Sequence, residues 1–136
     1  MSVSEGRTEP FVDELLPRRP VAVRHARALA SGALGGGLGS DDERDHELAL
    51  VITELVANAV RHGRGRRMRL RLEHQGGAVR VEVENRSWTT RPRRRLASDI
   101  RPSGRGLALV AAYSRSWGVM RGTRGRTRVW AEVERR

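Results

Sequence analysis

The hydrophobic pattern of this chain changes its period at Gly63, and that change limits the fold more than any other feature. From Leu48 to Ala59 the apolar residues recur every three or four positions, which predicts one buried face of a long helix. Apolar and charged residues then alternate over 68–73 and 79–84, which predicts an antiparallel hairpin with one buried face. A long amphipathic helix beside a half-buried hairpin indicates a layer of helices packed on a sheet.

The rest of the chain adds two helices and two strands to this arrangement. Pro20 suits the opening turn of the first helix, and Asp41 and Asp42 suit the cap and first turn of the second. The segments with helical or alternating periods lie at 21–34, 41–62, about 104–116, 117–121 and 127–134. We therefore predict the α+β class, as a two-layer α/β sandwich with a mixed, mostly antiparallel sheet and three helices on one face.

Length and composition limit the domain organisation and the chemistry. With 136 residues the chain forms one compact domain, which we place at 20–136, after an N-terminal arm at 1–19 with room for one edge strand. All 27 side chains of the Lys+Arg class are arginine. The lack of lysine excludes a P-loop, a Schiff-base enzyme and a eukaryotic-type kinase fold. The lack of cysteine excludes disulfides and thiolate metal sites.

The formal charge of +11 suggests polyanionic partners, either nucleic acid, nucleotide or an acidic protein surface. The arginines are spread along the chain, and only Trp88 lies near the arginine run at 91–95. A stacking platform needs more aromatic side chains, so we predict no direct nucleic-acid binding. No apolar run reaches the length of a membrane span, and residues 1–10 lack the order of a signal peptide. We therefore expect a cytoplasmic protein without membrane association.

Glu54, Asn58 and His62 follow one another at intervals of four on the second predicted helix. This spacing places them in one polar stripe beside the apolar stripe, at the rim of a pocket. A carboxylate there can polarise a hydroxyl or a water, and an amide oxygen can ligate Mg²⁺. The same spacing also suits a solvated face in which neighbouring side chains form a hydrogen bond.

A second motif, Ser103-Gly104-Arg105-Gly106-Leu107, follows a long loop at 86–102 and opens the third helix. Glycines allow close approach of a backbone, and free N–H groups at a helix start attract anions. The loop is longer than a plain connection needs, which favours a lid or a binding loop. At the end of the preceding strand, Asn85 can read the edge of a base, although Asn-Arg-Ser is also ordinary turn chemistry.

Together these motifs resemble the ATP-binding domain of the GHKL superfamily, which includes gyrase, chaperone, histidine kinase and mismatch-repair ATPases. The resemblance is carried by Glu-Leu-Val-x-Asn-Ala-x-x-His-Gly, by the polar turn after a strand and by Ser-Gly-Arg-Gly-Leu at a helix start. The strands around Trp117 and Trp130 are similar to those of the stand-alone branch, the anti-sigma factors with serine-protein kinase activity. The resemblance extends from Pro20 to Glu134.

The resemblance implies ATP and Mg²⁺ as cofactors and a role for each matching residue. Asn58 matches the Mg²⁺ ligand, and Glu54 matches the catalytic general base. Arg61 and His62 match side chains that approach the nucleotide in the family. The family segment that holds the phosphates corresponds here to Gly104, Arg105, Gly106 and Leu107. Asn85 stands where the family has an aspartate that accepts a hydrogen bond from the adenine amino group, and Thr127 has the parity to complete that base pocket.

Two functions are compatible with this resemblance. The first is an ATP-binding regulator of the anti-sigma factor type, a candidate serine/threonine-protein kinase that phosphorylates an antagonist protein. The alternative is a non-catalytic partner-binding module with weakened or lost ATP binding, because an amide at Asn85 adds a donor and loses charge assistance, at a cost of about 1 to 3 kcal/mol. The implied partners are a sigma factor, the antagonist or both. A homodimer is also compatible, since stand-alone members often dimerise.

Overall fold

A computed structural model of the chain describes residues 9–35, 43–86 and 106–135. The elements are β1 (Val12–Pro17), α1 (Val21–Ala33), α2 (Glu43–His62), β2 (Arg64–Gln75), β3 (Ala78–Arg86), α3 (Gly106–Tyr113), β4 (Ser116–Arg121) and β5 (Arg126–Glu134). The third helix ends earlier than predicted because Ser116 already pairs with Glu132 in the sheet. The predicted cap at Asp41 and Asp42 and the predicted lid loop beyond Arg86 lie outside the described residues.

The strands form one sheet in the order β1-β2-β3-β5-β4, and each neighbouring pair is antiparallel. The predicted two-layer α+β sandwich is confirmed, and the described strands make a purely antiparallel sheet instead of a mixed one. The chain reaches the outer position of β4 through α3 and then returns inward as β5. The strand β1 lies inside the segment predicted as an arm, and it is attached to the sheet, with Leu16 only 1% exposed. The domain boundary at residue 20 stays a prediction.

The helices cover one face of the sheet and enclose the core. The helix α2 packs on β3 and β5, with α1 and α3 on either side of it. The buried apolar side chains of α2 are Leu48, Ala49, Val51, Ile52, Leu55, Val56 and Ala59. They meet alternate residues of the strands, such as Leu70, Val81 and Ala131, and each buried Leu or Val contributes about 1.5 to 3 kcal/mol. No helix in the described ranges is long and apolar enough to cross a membrane.

The opposite face of the sheet carries cross-strand ion pairs, which we call the ion-pair lattice. Its pairs are Arg69 and Arg71 with Asp13, Arg80 and Arg115 with Glu132, Arg128 with Glu82 and Glu84, and Arg126 with Glu84. A hydrogen bond to Glu84 and the nearby charges of Glu82 and Glu84 raise the pKa of the Arg128 guanidinium, against the lowering effect of desolvation. Most of this face is therefore charge-balanced.

Candidate functional site

Asn58 is a buried polar residue in the middle of the helix layer. Its side chain is 4% exposed, and its Oδ1 has no hydrogen-bond partner among the described residues. A buried acceptor without a partner costs about 1 to 3 kcal/mol, and such atoms in folded proteins point to a ligand or to function. Glu54 lies one turn earlier on the same side of α2 and is half-buried. The apolar residues of α2 fix this side of the helix against the core, and they thereby fix both polar groups.

The Oδ1 atom of Asn58 suits a single oxygen ligand of a hard cation. Mg²⁺ prefers oxygen donors and keeps several waters, so it often takes only one or two ligands from the protein. Within the described part of the chain, no three His, Cys, Asp or Glu side chains form a group that could hold a metal ion. A cation at Asn58 would therefore depend on water and on oxygens of a bound ligand for its other contacts.

The helix α3 packs against α2. Tyr113 at the end of α3 lines the same hollow as Glu43 and Glu47 in the first turns of α2. The end of α3 therefore lies near the start of α2.

The motif predicted to hold phosphate groups is only partly described. Gly106 opens α3, and Leu107 is buried in the core with 6% exposure. The side chain of Leu107 is therefore a packing element, and only its backbone can face a ligand. Gly104 and Arg105 lie outside the described residues. The predicted contact of this motif with phosphates stays a prediction.

Asn85, Thr127 and Gly63 meet at the other end of α2. Asn85 pairs in register with Thr127, which is 7% exposed, and the Nδ2 of Asn85 is buried with no hydrogen-bond partner in the part of the chain that the structure describes. A Cβ atom on Gly63 would lie 1.5 Å from that Nδ2 and 2.5 Å from the carbonyl oxygen of Ala59. Glycine is therefore required for this contact. An amide donor suits the position because the C-terminal end of a helix carries a partial negative charge.

Arg61 and His62 occupy the last turn of α2, and both side chains are exposed. They differ in this respect from Asn58, which lies about one turn earlier and is buried. Basic residues at this position interact favourably with the helix dipole, which explains them without a ligand. Their predicted approach to a nucleotide stays a prediction.

Sequence reasoning did not single out two features of this end of the sheet. Gly63 was assigned only to the end of α2, whereas the structure packs it against Asn85. The exposed arginines at the start of β2 were not predicted as a group, although Arg64-Gly65-Arg66-Arg67 is a dense basic run beside a glycine. Both features depend on which strands become neighbours, and a one-dimensional pattern does not contain that information.

The chain was also compared with known proteins. A family model described as a histidine kinase-like ATPase domain matches residues 16–132. The match begins in β1 and ends in β5, so it includes every described helix and the candidate residues of α2, β3 and α3. No curated protein matches the chain.

Proposed function

The chain belongs to the histidine kinase-like ATPase family, and we propose that it is an ATP-dependent regulator of the stand-alone anti-sigma type. It binds Mg-ATP, associates with a sigma factor and transfers phosphate to a serine or threonine of an antagonist protein. The observation that supports this proposal most directly is the buried Oδ1 of Asn58, which no described residue satisfies, with Glu54 one turn away. A core position that retains an unsatisfied acceptor is expected when a ligand completes it.

Each residue of the proposed site has one task. Asn58 holds Mg²⁺, which when bound supplies positive charge next to the phosphates. Glu54 accepts the proton of the attacking hydroxyl, whose oxygen forms a bond to the γ-phosphorus while the bond from that phosphorus to the bridging oxygen breaks and ADP leaves. Backbone N–H groups at 104–106 donate hydrogen bonds to phosphate oxygens, in the absence of any lysine.

Calorimetric titration with Mg-ATP tests the nucleotide site. We expect the unaltered chain to release or absorb heat saturably, and we expect Asn58→Ala to weaken binding of Mg-ATP much more than binding of ATP in a chelator. The melting temperature of Asn58→Ala should be close to that of the unaltered chain, because the substitution removes an acceptor that makes no hydrogen bond to a described residue. A loss of Mg-ATP binding would then not result from unfolding. If Asn58→Ala binds Mg-ATP as tightly as the unaltered chain, the assignment of Asn58 is wrong.

Transfer of labelled phosphate from ATP to candidate antagonist proteins tests the proposed chemistry. Glu54→Gln should retain Mg-ATP binding and lose transfer by a factor of about 100 or more, as expected for removal of a general base. The matched control is Glu47→Gln, since Glu47 lies seven residues earlier on the same helix and is also half-buried. Equal transfer by both variants would contradict the assignment of Glu54.

The second candidate function is a partner-binding module that does not turn over nucleotide. The observation that favours it is the amide at Asn85, whose donor atom is buried against Gly63 and Ala59 where an acceptor for adenine is needed. In that case Mg-ATP produces no heat up to millimolar concentration, and the chain acts on its partner by occlusion alone. The same titration therefore separates the two candidates.

A further inference from the structure

The charge balance of the exposed sheet face fails at one end. Arg64, Arg66, Arg67 and Arg86 are exposed, and they make no ion pair with any residue that the structure describes. They border a hollow of about 510 Å³ between β1, the start of β2 and the end of β3, which we call the arginine groove. The groove also reaches the ion-pair lattice, because Glu84 lines it and is paired with Arg126 and Arg128.

The sheet register places like charges directly opposite one another at this end. Arg64 is the register partner of Arg86 on β3, and Arg86 is the register partner of Arg126 on β5. Like charges in such cross-strand pairs destabilise a sheet. Arg126 reaches Glu84 only at 3.8 Å and is 57% exposed, so it offsets little of this repulsion. An anion bound in the groove would remove the repulsion.

A β-bulge or similar irregularity of β2 lies beside the groove. The register of β2 and β3 shifts between Arg64 and Arg69, and Gly65 within the shift has φ of +90°. Such a bulge breaks the alternation of a strand and redirects side chains near its ends. The guanidinium of Arg18 fixes the bulge from the side of β1, because its Nε donates to the carbonyl oxygen of Gly65 at 2.7 Å and its second nitrogen donates to that of Val60 at 2.6 Å.

We propose that the arginine groove docks an extended, acidic segment of a partner protein that carries an aliphatic side chain. Leu15 lines the groove and is 52% exposed, which provides an apolar contact among the cations. The strand β1 beside it is an edge strand of the described sheet, and no described strand pairs with its outer side, which suits the addition of an extended chain. This docking requires no nucleotide turnover. Asn85 also lines the groove, so the docked segment lies next to the proposed base position.

The composition of the groove favours a protein partner over nucleic acid. No aromatic residue lines the described groove, whereas proteins that bind single strands stack bases on aromatic rings. The hollow accommodates a few side chains and has no room for a duplex groove or backbone. Carboxylate pairs with the planar guanidinium through two parallel hydrogen bonds, which gives an acidic peptide both affinity and orientation.

Fluorescence anisotropy with a labelled peptide tests the proposal. The probe is a twelve-residue peptide of alternating Glu and Asp with one central Leu, and the neutral comparison has Gln and Asn in place of the acids. We expect the acidic peptide to bind and the variant Arg64→Gln/Arg86→Gln to bind it about tenfold more weakly. The matched control is Arg27→Gln/Arg121→Gln, which removes the same charge from exposed positions on α1 and β4. Its affinity for the acidic peptide should stay within about twofold of that of the unaltered chain.

Further readouts separate docking from general electrostatic attraction and from loss of fold. Arg64→Gln/Arg86→Gln should unfold at an equal or higher denaturant concentration, because it relieves the cross-strand repulsion. Leu15→Ser should weaken binding of the Leu-bearing peptide about threefold or more. Binding of an all-acidic peptide without Leu should not change. The proposal is wrong if the two double variants bind equally, if the acidic peptide does not bind at all, or if single-stranded DNA binds more tightly than the peptide and loses affinity in Arg64→Gln/Arg86→Gln.

Discussion

Asn58 and Asn85 each bury one amide atom that has no hydrogen-bond partner in the described part of the chain. The acceptor of Asn58 lies in the core beside Glu54, and the donor of Asn85 lies against the carbonyl end of α2. The two residues therefore differ in what could satisfy them. A cation suits the oxygen of Asn58, whereas the nitrogen of Asn85 suits an acceptor.

Replacement of Asn85 by aspartate tests whether the amide limits adenine binding. Asn85→Asp supplies the charged acceptor found in the family, and we expect Mg-ATP affinity to rise by about one to two decades. Calorimetry measures this change, with Asn85→Ala as the control that lacks both donor and acceptor. An affinity that does not rise for Asn85→Asp would show that the base is read by other groups.

The glycines of this chain provide a matched pair for stability. Gly63→Ala introduces a Cβ atom 1.5 Å from Asn85 Nδ2 and 2.5 Å from the Ala59 carbonyl oxygen, so we expect a loss of about 1 to 3 kcal/mol. Gly32 lies in α1, and a Cβ atom added there meets no described atom within 4 Å. Gly32→Ala should therefore raise the free energy of unfolding by up to about 1 kcal/mol, because alanine has the higher helix propensity. Urea denaturation measures both, and Asn85→Ala should recover part of the loss in Gly63→Ala. Equal effects of the two substitutions would contradict the close packing at Gly63.

At the scale of elements, the sheet is asymmetric between its two faces. The helix-covered face is apolar, and the other face is held by the ion-pair lattice and by Arg80, whose Cζ lies 4.2 Å from the ring centroid of Trp130. Arg80 also reaches Glu132 at 3.1 Å, with both side chains less than one fifth exposed. The lattice is thus strongest in the middle of the sheet and weakest at the arginine groove.

Because the ion pairs differ in exposure, we expect substitutions in the ion-pair lattice to lower the free energy of unfolding by different amounts. Arg80→Ala removes a sheltered ion pair and a cation–π contact, so we expect a loss of about 1 to 2 kcal/mol. Arg126→Ala removes a 3.8 Å pair in which the arginine is 57% exposed, so its cost should stay within about 0.5 kcal/mol. Chemical denaturation of both variants at low salt measures the difference. A larger loss for Arg126→Ala would mean that the lattice does not support the sheet as described.

For the whole molecule, the exclusive use of arginine fixes the charge over a wide pH range. The sequence pI is about 11.7, and guanidinium groups remain protonated where lysine would begin to titrate. Arginine side chains in general therefore keep their charge at alkaline pH values at which lysine side chains lose theirs. A surface built from lysine would lose charge near pH 10.

The pH dependence of acidic peptide binding follows from this property. Between pH 7 and 10.5 we expect the affinity of the unaltered chain to change by less than about twofold, because neither arginine nor carboxylate titrates there. The variant Arg64→Lys/Arg86→Lys should bind at pH 7 and weaken toward pH 10.5 as its ammonium groups lose their protons. Anisotropy titrations across this range measure both chains. Equal pH profiles would show that these positions do not contact the acidic peptide.

The local sequence determined the elements of this protein, because periods of 3.6 and 2 are properties of neighbouring residues. The apolar stripe of α2 and the alternation in β2 and β3 predicted their elements and their buried faces, and they also placed Glu54 and Asn58 beside the core. Only the tertiary structure decided the strand order β1-β2-β3-β5-β4, the contact of Asn85 with Gly63 and the row of opposed arginines. These features depend on register and on contacts between residues far apart in the chain, which no local pattern specifies.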